Sequence, residues 1–359
     1  MTTLDPASYR LINPKFLGDK IEDVEEELFL LYTRRASFRP ESGESTDALQ
    51  SIITSDNRNG SALGLVDQRN DHIELQFTFP KHISPKHTPK QARLSRKTGR
   101  GNKKREDEDG KTSVQMETLE ITLAQDITGL RSRVGDTGGG VWRGSVLLSQ
   151  ALLAHFHDTS SDHLFDVPLL KECCVLELGA GTGLLGLILG PLVAQWTCTD
   201  LPEMVTLIKK NHALNRDSNM GGSLRTEALD WNKLYECAFA ARKRMFPISS
   251  FSSISGDRPT PRELELDTAD RDIDLVLAVD CVYNPSLIPP LLTTIDHFSS
   301  PNKTIVMVVM ELRDDEVVRQ FLTQWCMMPA WEVWRIGDDR NQVFLDERFV
   351  IWMGLKGSE

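Results

Sequence analysis

Short apolar runs alternate with segments of helical periodicity from about residue 138 to the end of the chain. Five of these runs have no polar alternation, which is typical of parallel strands that helices cover on both faces. The five predicted strands are 173–178, 194–199, 225–229, 275–279 and 304–310. Helices are predicted to begin near Leu184, Pro202, Pro285 and Asp314. The alternation predicts an α/β fold with a Rossmann-like sheet.

Two more strands, 332–336 and 348–355, follow the parallel set and can form an antiparallel pair at the sheet edge. Nearer the N-terminus, 73–79 and 117–123 have the composition of a pair of strands. We therefore predict an N-terminal extension over residues 1–130 that contains a small β element, and an α/β domain over residues 131–359.

A basic segment at about 81–111 lies between the two N-terminal strands and has almost no apolar residues, so it cannot fold by itself. One interpretation is a nucleic-acid or nuclear-import patch. The adjoining acidic run 106–109 favours the other, a disordered insertion. A proline- and serine-rich stretch, 243–272, is predicted to be a surface insertion before the fourth strand of the domain.

The net charge, the apolar runs and the N-terminal sequence limit the partners and the cellular location that we expect. A formal net charge of −11 argues against direct nucleic-acid binding and suits a basic protein partner. The sequence contains no apolar run that could span a bilayer, and its start lacks the pattern of a secretory signal. We expect a monomer without membrane association. Its expected location is the cytoplasm, with the nucleus as a second location.

Metal and disulfide chemistry are not expected. The six cysteines include no C-x-x-C pair and are predicted to be reduced core thiols. His72, His82 and His87 stand among basic residues in a predicted loop, which is typical of surface histidines rather than of metal ligands.

The most informative segment is 173–186, CCVLELGAGTGLLG, in which an apolar strand runs into a glycine turn and then a helix. Glycines let a ligand approach the main chain and the amino end of the helix closely. Residues 181–186 satisfy the dinucleotide spacing G-x-G-x-x-G, whereas Glu177 opens the pattern acid-x-G-x-G-x-G, which resembles motif I of S-adenosylmethionine-dependent methyltransferases. Asp200, at the end of the next strand, has the spacing of a carboxylate that binds ribose hydroxyls in either class. The motif alone leaves both cofactors open.

The order of the strands favours one of them. Five parallel strands followed by an antiparallel pair resemble the seven-stranded sheet of class I methyltransferases more than the six-stranded sheet of dehydrogenases. We therefore expect S-adenosylmethionine.

Candidate site residues stand at the predicted strand ends. Asp280 and Tyr283 follow the fourth strand, so a local turn can direct a carboxylate and a phenol into one pocket that binds an amine. Trp231 follows the third strand and can flank an adenine ring. Trp142 comes after three glycines, at the start of a helix, where its indole can form an apolar wall. Capping of a helix by Asp200 or Asp280, and a core role for Trp142, are the structural alternatives.

Together these motifs resemble the seven-β-strand protein-lysine methyltransferases, and most closely the fungal ribosomal-lysine methyltransferase 5 group. The resemblance rests on Gly-x-Val-Trp before a helix, Glu-Leu-Gly-Ala-Gly-Thr-Gly, Thr-Asp-Leu-Pro-Glu with Asn211 and Asn215 on the next helix, and Asp-x-x-Tyr after the fourth strand. It covers residues 138–292 strongly and the C-terminal strands more loosely. One departure is Arg143-Gly144 after the Trp, where that family usually has an acidic residue and Ala.

This resemblance implies a site and a reaction. It places Trp142, Gly179, Ala180, Gly181, Asp200, Trp231 and Val279 around S-adenosylmethionine, with Glu177 beside its methionine end. It assigns Asp280 and Tyr283 to the acceptor. It implies methylation of a protein lysine, for example on a large-subunit ribosomal protein such as ribosomal protein L1. The alternatives are a nucleic-acid or small-molecule methyltransferase, a NAD-dependent oxidoreductase and a non-catalytic ribosome-assembly factor.

Overall fold

The computed structural model describes residues 6, 9–37, 49, 51–53, 64–83, 113–132, 137–158, 163–216, 223–237, 273–337, 345 and 347–358. Nearly all of the basic segment 81–111 and the stretch 243–272 lie outside these residues. Their predicted disorder and surface position stay predictions.

Ten strands lie in the described part of the chain. They are β1 (Leu17–Lys20), β2 (His72–Ile83), β3 (Ser113–Ala124), β4 (Cys174–Leu178), β5 (Gln195–Asp200), β6 (Ser223–Ala228), β7 (Leu275–Val279), β8 (Ile305–Glu311), β9 (Trp331–Ile336) and β10 (Phe349–Lys356). All strands predicted for the sheet are present, and their ends fall within about two residues of the prediction.

The helices of the described residues lie between these strands. They are α1 (Val24–Ser37), α2 (Ile127–Ser132), α3 (Arg143–His157), α4 (Val167–Leu170), α5 (Leu184–Leu189), α6 (Pro202–Leu214), α7 (Trp231–Glu236), α8 (Ile288–Phe298) and α9 (Asp315–Cys326).

The central sheet has the order β1-β9-β10-β8-β7-β4-β5-β6. Strands β8, β7, β4, β5 and β6 are parallel, while β10 is antiparallel to both of its neighbours, β8 and β9. This is the predicted Rossmann-like arrangement of a class I methyltransferase. Side chains of β4 alternate between two apolar clusters, with Val175 in one and Leu176 in the other. The sheet therefore buries both faces, which explains why its strands read as continuous apolar runs.

Within the described residues the sheet has eight strands, one more than the seven that were predicted. The additional strand is β1, which pairs antiparallel with β9 and so covers the edge expected for the C-terminal pair. Its four residues have no apolar alternation, so the sequence gives no strand signal there. Arg335 on β9 and Glu27 on α1 form a buried ion pair, and Trp352 donates to the same Glu27 carboxylate at 3.2 Å. Because buried charges are stable only when paired, this contact holds the N-terminal segment against the sheet.

The predicted N-terminal β element is the antiparallel hairpin of β2 and β3. Two asparagines on α6 bind its β3 strand through side-chain amides. Asn215 accepts from Thr122 N at 3.0 Å and donates to Thr122 O at 2.8 Å. Asn211 makes the same pair of bonds to Ala124, at 2.7 and 3.1 Å. The amides imitate a neighbouring strand and attach the hairpin to the sheet domain.

Candidate functional site

The glycine loop joins β4 to α5 and lies at the carboxyl ends of the parallel strands. Gly179, Gly181 and Gly183 have φ of 65°, 57° and 77°, a region that favours glycine. A Cβ on Gly179 would stand 2.8 Å from Cys281 Sγ and 3.2 Å from the Trp231 ring. Both the backbone conformation and the packing therefore require glycine at residue 179.

Asp200 ends β5 and fixes the loop. Its Oδ2 accepts from Gly181 N at 2.7 Å, and its Oδ1 accepts from Leu201 N at 2.7 Å. Each carboxylate oxygen has a second lone pair, so Asp200 can still accept hydrogen bonds from a diol. The N-cap residue of α6 is Leu201, which follows Asp200.

An open cleft lies above the loop and contains about 750 Å³ of empty space, in which the solvent at its mouth is included. Its described lining residues are Thr137, Gly138, Trp142, Gly179, Gly181, Asp200, Leu201, Met204, Leu229, Asp230, Trp231, Asn232, Val279, Asp280, Cys281, Tyr283 and Leu287. Eight of the ten residues singled out from the sequence are in this set. Ala180 and Glu177 are not, although both are buried next to it.

Glu177 lies beneath the loop. Its carboxylate accepts from Trp196 Nε1 at 2.7 Å and from Cys198 Sγ at 3.4 Å, and its side chain is buried. Burial raises the pKa of this carboxyl to about 7, although the hydrogen bonds oppose the rise. The contacts connect β4 to β5, and the predicted place of Glu177 beside the methionine end of the cofactor stays a prediction.

Trp142 is the N-cap residue of α3 and forms one side of the cleft. Its Nε1 donates to Thr137 O at 2.9 Å, which fixes the orientation of the ring. An isolated β-bridge pairs it with Leu65 from the N-terminal region, and Arg143 N donates to Gly64 O at 2.8 Å. The N-terminal region therefore reaches the cleft.

Asp280 and Tyr283 follow β7 at the other side of the cleft. Asp280 has φ of 55°, unusual for a residue with a side chain. Its side chain is 3% exposed, and its Oδ1 accepts from Glu311 N at 2.9 Å. Burial raises the pKa of Asp280, and the neighbouring Arg313 guanidinium opposes that rise. Tyr283 is 37% exposed, so a phenol stands at the mouth of the cleft beside a buried carboxylate.

The sequence reasoning missed Glu311 and Arg313, which follow the fifth parallel strand. Arg313 Nη2 lies 3.4 Å from Asp280 Oδ2 and 2.9 Å from Glu311 Oε2. Arg143 contacts the other oxygen of Glu311 at 3.2 Å. A signal was present, because β8 ends at the same sheet edge as β7, and polar residues at that edge are candidates for the site.

A model of the family described as Lysine methyltransferase matches residues 122–245 and 261–325, which together are more than half of the chain. The chain belongs to the lysine methyltransferase family. The resemblance drawn from the sequence motifs is confirmed at this level. The matched part includes every candidate site residue and leaves out β1, α1 and β2.

Three curated relatives illustrate the similarity. Protein-lysine N-methyltransferase EFM2 of Saccharomyces cerevisiae is 38% identical over 110 residues, which are 28% of this chain and 25% of that protein. Methyltransferase-like protein 22 of Homo sapiens is 36% identical over 101 residues, 27% of this chain and 22% of that protein. Ribosomal lysine N-methyltransferase 5 of Candida glabrata is 23% identical over 300 residues, 72% of this chain and 82% of that protein. The chain thus matches about a quarter of the length of the first two relatives.

S-adenosylmethionine is the cofactor of this family, and the chemistry of the cleft fits it. Asp200, Asp230 and Asp280 all line the cleft, and its described lining residues include no Lys, Arg or His. Such a set of carboxylates attracts a cation. S-adenosylmethionine carries a sulfonium and an ammonium, whereas a nicotinamide dinucleotide carries an anionic pyrophosphate. The lining therefore disfavours the dinucleotide that the glycine spacing had left open.

The described residues also show what does not accompany the site. They hold no group of three or more His, Cys, Asp or Glu side chains placed to bind a metal ion. Among their helices, none combines the length and the apolar character that crossing a bilayer requires.

Proposed function

We propose that this protein transfers a methyl group from S-adenosylmethionine to the ε-amine of a lysine in another protein. The observation that carries the proposal is the acidic cleft, in which the buried carboxylate of Asp280 lies beside the half-exposed Tyr283. Because Asp280 lines the cleft, its carboxylate can bind an ammonium that enters the cleft from solvent. Membership of the lysine methyltransferase family supports the same acceptor.

One group of residues binds the cofactor, and a second group, Asp280 and Tyr283, binds the acceptor. Asp200 is placed to accept hydrogen bonds from the ribose, and the apolar side chains of Leu201, Met204, Leu229 and Trp231 can enclose the adenine. The bound cofactor supplies a methyl group that is already electrophilic because it is attached to a positive sulfur. The remaining task of the protein is to align a neutral amine with that methyl group.

Asp280 has two successive roles in this account. Lysine reaches the cleft protonated, and Asp280 binds its ammonium. The amine then loses a proton to water, and Asp280 holds the neutral amine through a hydrogen bond while Tyr283 limits the direction of approach. No nucleophilic side chain of the protein is needed.

The substrate that we propose is a ribosomal protein of the large subunit. Its support is the similarity to the protein named Ribosomal lysine N-methyltransferase 5, together with the net charge of −11, which is complementary to a basic protein. We further propose that the protein acts as a monomer in the cytoplasm, with the nucleus as a second location.

The first test is methyl transfer by the purified full-length chain. The protein is incubated with radiolabelled S-adenosylmethionine and an extract of cells that lack it, and labelled species are separated after parallel nuclease and protease digestion. Asp280→Asn keeps the bond from Glu311 N and removes the charge. We expect it to bind S-adenosylhomocysteine like the wild type and to lose at least about 100-fold in transfer.

The control is Asp315→Asn, which removes an exposed carboxylate on α9. It should leave transfer unchanged. Label in nuclease-sensitive material would support a nucleic-acid methyltransferase instead, and cofactor binding without any labelled product would support a non-catalytic assembly factor. Normal transfer by Asp280→Asn would show that Asp280 does not bind the acceptor.

A further inference from the structure

The two carboxylate oxygens of Asp280 have different partners. Oδ1 accepts from the backbone N–H of Glu311 at 2.9 Å, so β8 fixes it. Oδ2 lies 3.4 Å from Arg313 Nη2. Oδ2 is also the oxygen next to α3, since a Cβ on Gly144 would lie 2.6 Å from it. Oδ2 is therefore the oxygen whose partner can change.

Arg313 has a second carboxylate within reach. The same Nη2 atom lies 2.9 Å from Glu311 Oε2, a shorter contact than the one to Asp280. The guanidinium also stacks over Trp142, with 5.1 Å from its central carbon to the ring centroid. Arg313 is 30% exposed and Asp280 is 3% exposed. Of the two partners, the guanidinium is the one that can move.

We propose that Arg313 is a positioning residue, which serves as the counter-ion of Asp280 while the acceptor site is empty and keeps only its contact with Glu311 when the substrate ammonium takes its place. The part that concerns the acceptor rests on the proposed function. The part that concerns the counter-ion stands on the geometry of the protein alone.

The energetic reason is the burial of Asp280. An ionised carboxylate that is removed from water is costly unless a positive charge compensates it. Arg313 is the cation that contacts Asp280 among the described residues. Without it, Asp280 would be protonated more readily and would no longer attract an ammonium.

Glu311 makes the exchange possible. It contacts Arg143 through one oxygen at 3.2 Å and Arg313 through the other at 2.9 Å. When a substrate ammonium binds Asp280, the guanidinium therefore still has a carboxylate and the face of Trp142. Gly64 packs on this group closely enough that a Cβ there would collide with the Arg313 guanidinium. The N-terminal region thus limits how far Arg313 can move.

Among the described residues, few titratable groups lie near Asp280. Glu311 and Arg313 approach from β8 and the residues after it, Arg143 on α3 acts through Glu311, and Cys281 and Tyr283 belong to the same turn as Asp280. Burial raises the pKa of Cys281 well above its usual range, so this thiol stays neutral. Arg313 and Glu311 are therefore the charges that decide the ionisation of Asp280.

The direct test is the titration of Asp280 in the cofactor-free protein, followed by NMR with carboxyl-labelled aspartate. Asp280→Asn identifies the resonance. Arg313→Met keeps most of the side-chain volume and removes the charge, Arg313→Lys keeps the charge, and Arg319→Met removes an exposed arginine on α9 as a control. We expect the midpoint to move to higher pH in Arg313→Met, to stay near the wild type in Arg313→Lys and to be unchanged in Arg319→Met.

An unchanged midpoint in Arg313→Met would overturn the proposal. Circular dichroism verifies that the variant is folded, and if it is not, Arg313→Gln replaces it in the same titration. A shift of equal size in Arg319→Met would also overturn the proposal, because the effect would then not depend on the contact with Asp280.

Kinetics test the exchange with the acceptor. As the pH is lowered, kcat/KM of Arg313→Met should fall at a higher pH than that of the wild type, because Asp280 takes up its proton at higher pH in the variant. At high pH, where Asp280 is ionised in both proteins, KM for the acceptor should be lower in Arg313→Met, because no resident cation competes. A higher KM at high pH would contradict the exchange. If the wild type itself transfers no methyl group, the proposed function fails, and the NMR titration still decides whether Arg313 is the counter-ion.

Discussion

Glu177 and Asp280 are both buried carboxylates of adjacent strands, but their surroundings give them different chemistry. Asp280 has a guanidinium at 3.4 Å and borders the cleft. Glu177 has an indole N–H and a thiol as neighbours, and burial raises its pKa to about 7. The Arg313 guanidinium thus opposes the rise that burial causes in the pKa of Asp280, whereas Glu177 has no cation beside it among the described residues and its pKa is raised to about 7.

The raised pKa of Glu177 predicts how its removal changes stability with pH. A carboxyl with a pKa raised from 4.5 to about 7 stabilises the fold most below about pH 4.5, and this contribution is lost as the pH rises through about 7. The free energy of unfolding of Glu177→Gln, taken relative to that of the wild type, should therefore be higher at about pH 8 than at about pH 6. This difference changes by at most about 1.4 kcal/mol per pH unit. Urea unfolding at both pH values measures the difference.

A difference between the two proteins that does not vary with pH would contradict the shift. The same variant also tests the predicted role of Glu177 beside the methionine end. Weaker binding of S-adenosylhomocysteine by the folded variant would support that role. Unchanged binding would show that Glu177 acts only through its structural contacts with Trp196 and Cys198.

At the scale of single residues, the sequence predicted those site residues whose position depends on the end of one strand. Asp280 and Tyr283 follow an apolar strand, so the strand end places them in the cleft. Arg313 lies beyond its strand, and its contact with Asp280 depends on the register between β7 and β8. The apolar pattern of β8 ends before Arg313, so it does not indicate where the Arg313 side chain lies relative to β7.

Helix α6 shows that one element can join two others. Asn211 is buried and binds both Ala124 on β3 and Thr182 O in the glycine loop, the latter at 2.9 Å. The sequence singled out Asn211 and Asn215 by resemblance, and their physical role became apparent only from the hairpin that they bind.

Asn211→Asp should be strongly destabilising although its shape is conserved. The carboxylate has no N–H to donate, so the carbonyls of Ala124 and Thr182 lose their donor and face a negative charge. We expect a loss of about 2–5 kcal/mol in the free energy of unfolding, measured in urea. Asn232→Asp is the matched control, since Asn232 is exposed in the first turn of α7, where an acidic side chain is tolerated. Equal stability of the two variants would refute the role of Asn211.

Strands with a continuous apolar pattern were predicted well, whereas a strand that forms only through its partner strand was not. Strands β7 and β8 are apolar along nearly their whole length because both faces of the sheet are buried there, and this pattern is visible in the sequence. Strand β1 has four residues and a glycine that approaches Arg335 O, so only its partner makes it a strand. Propensity cannot detect such an element.

At the scale of the whole molecule, charge and architecture act together. The net charge is −11, and three of the carboxylates converge on the cleft. The N-terminal region reaches the same cleft through the bridge between Leu65 and Trp142. The family model begins at residue 122, so Leu65, which pairs with the cleft residue Trp142, lies in a region that the family model does not cover.

The charge predicts a salt dependence of catalysis. For a lysine acceptor in a basic peptide, kcat/KM should fall as salt rises from about 0.05 M to about 0.3 M, because screening weakens long-range attraction. For a neutral peptide of equal length with the same lysine, the decrease should be smaller. Initial rates of methyl transfer measure both. An identical response of the two peptides would show that long-range charge does not guide this substrate.

The central claim is that the acidic cleft delivers a methyl group to a lysine amine. The most direct measurement is acid hydrolysis of the labelled product, followed by chromatography of the labelled amino acids against methylated standards. The account predicts that the label elutes as methylated lysine and that Asp280→Asn abolishes it. Label in methylated arginine, histidine or a base, with lysine unlabelled, would contradict the account.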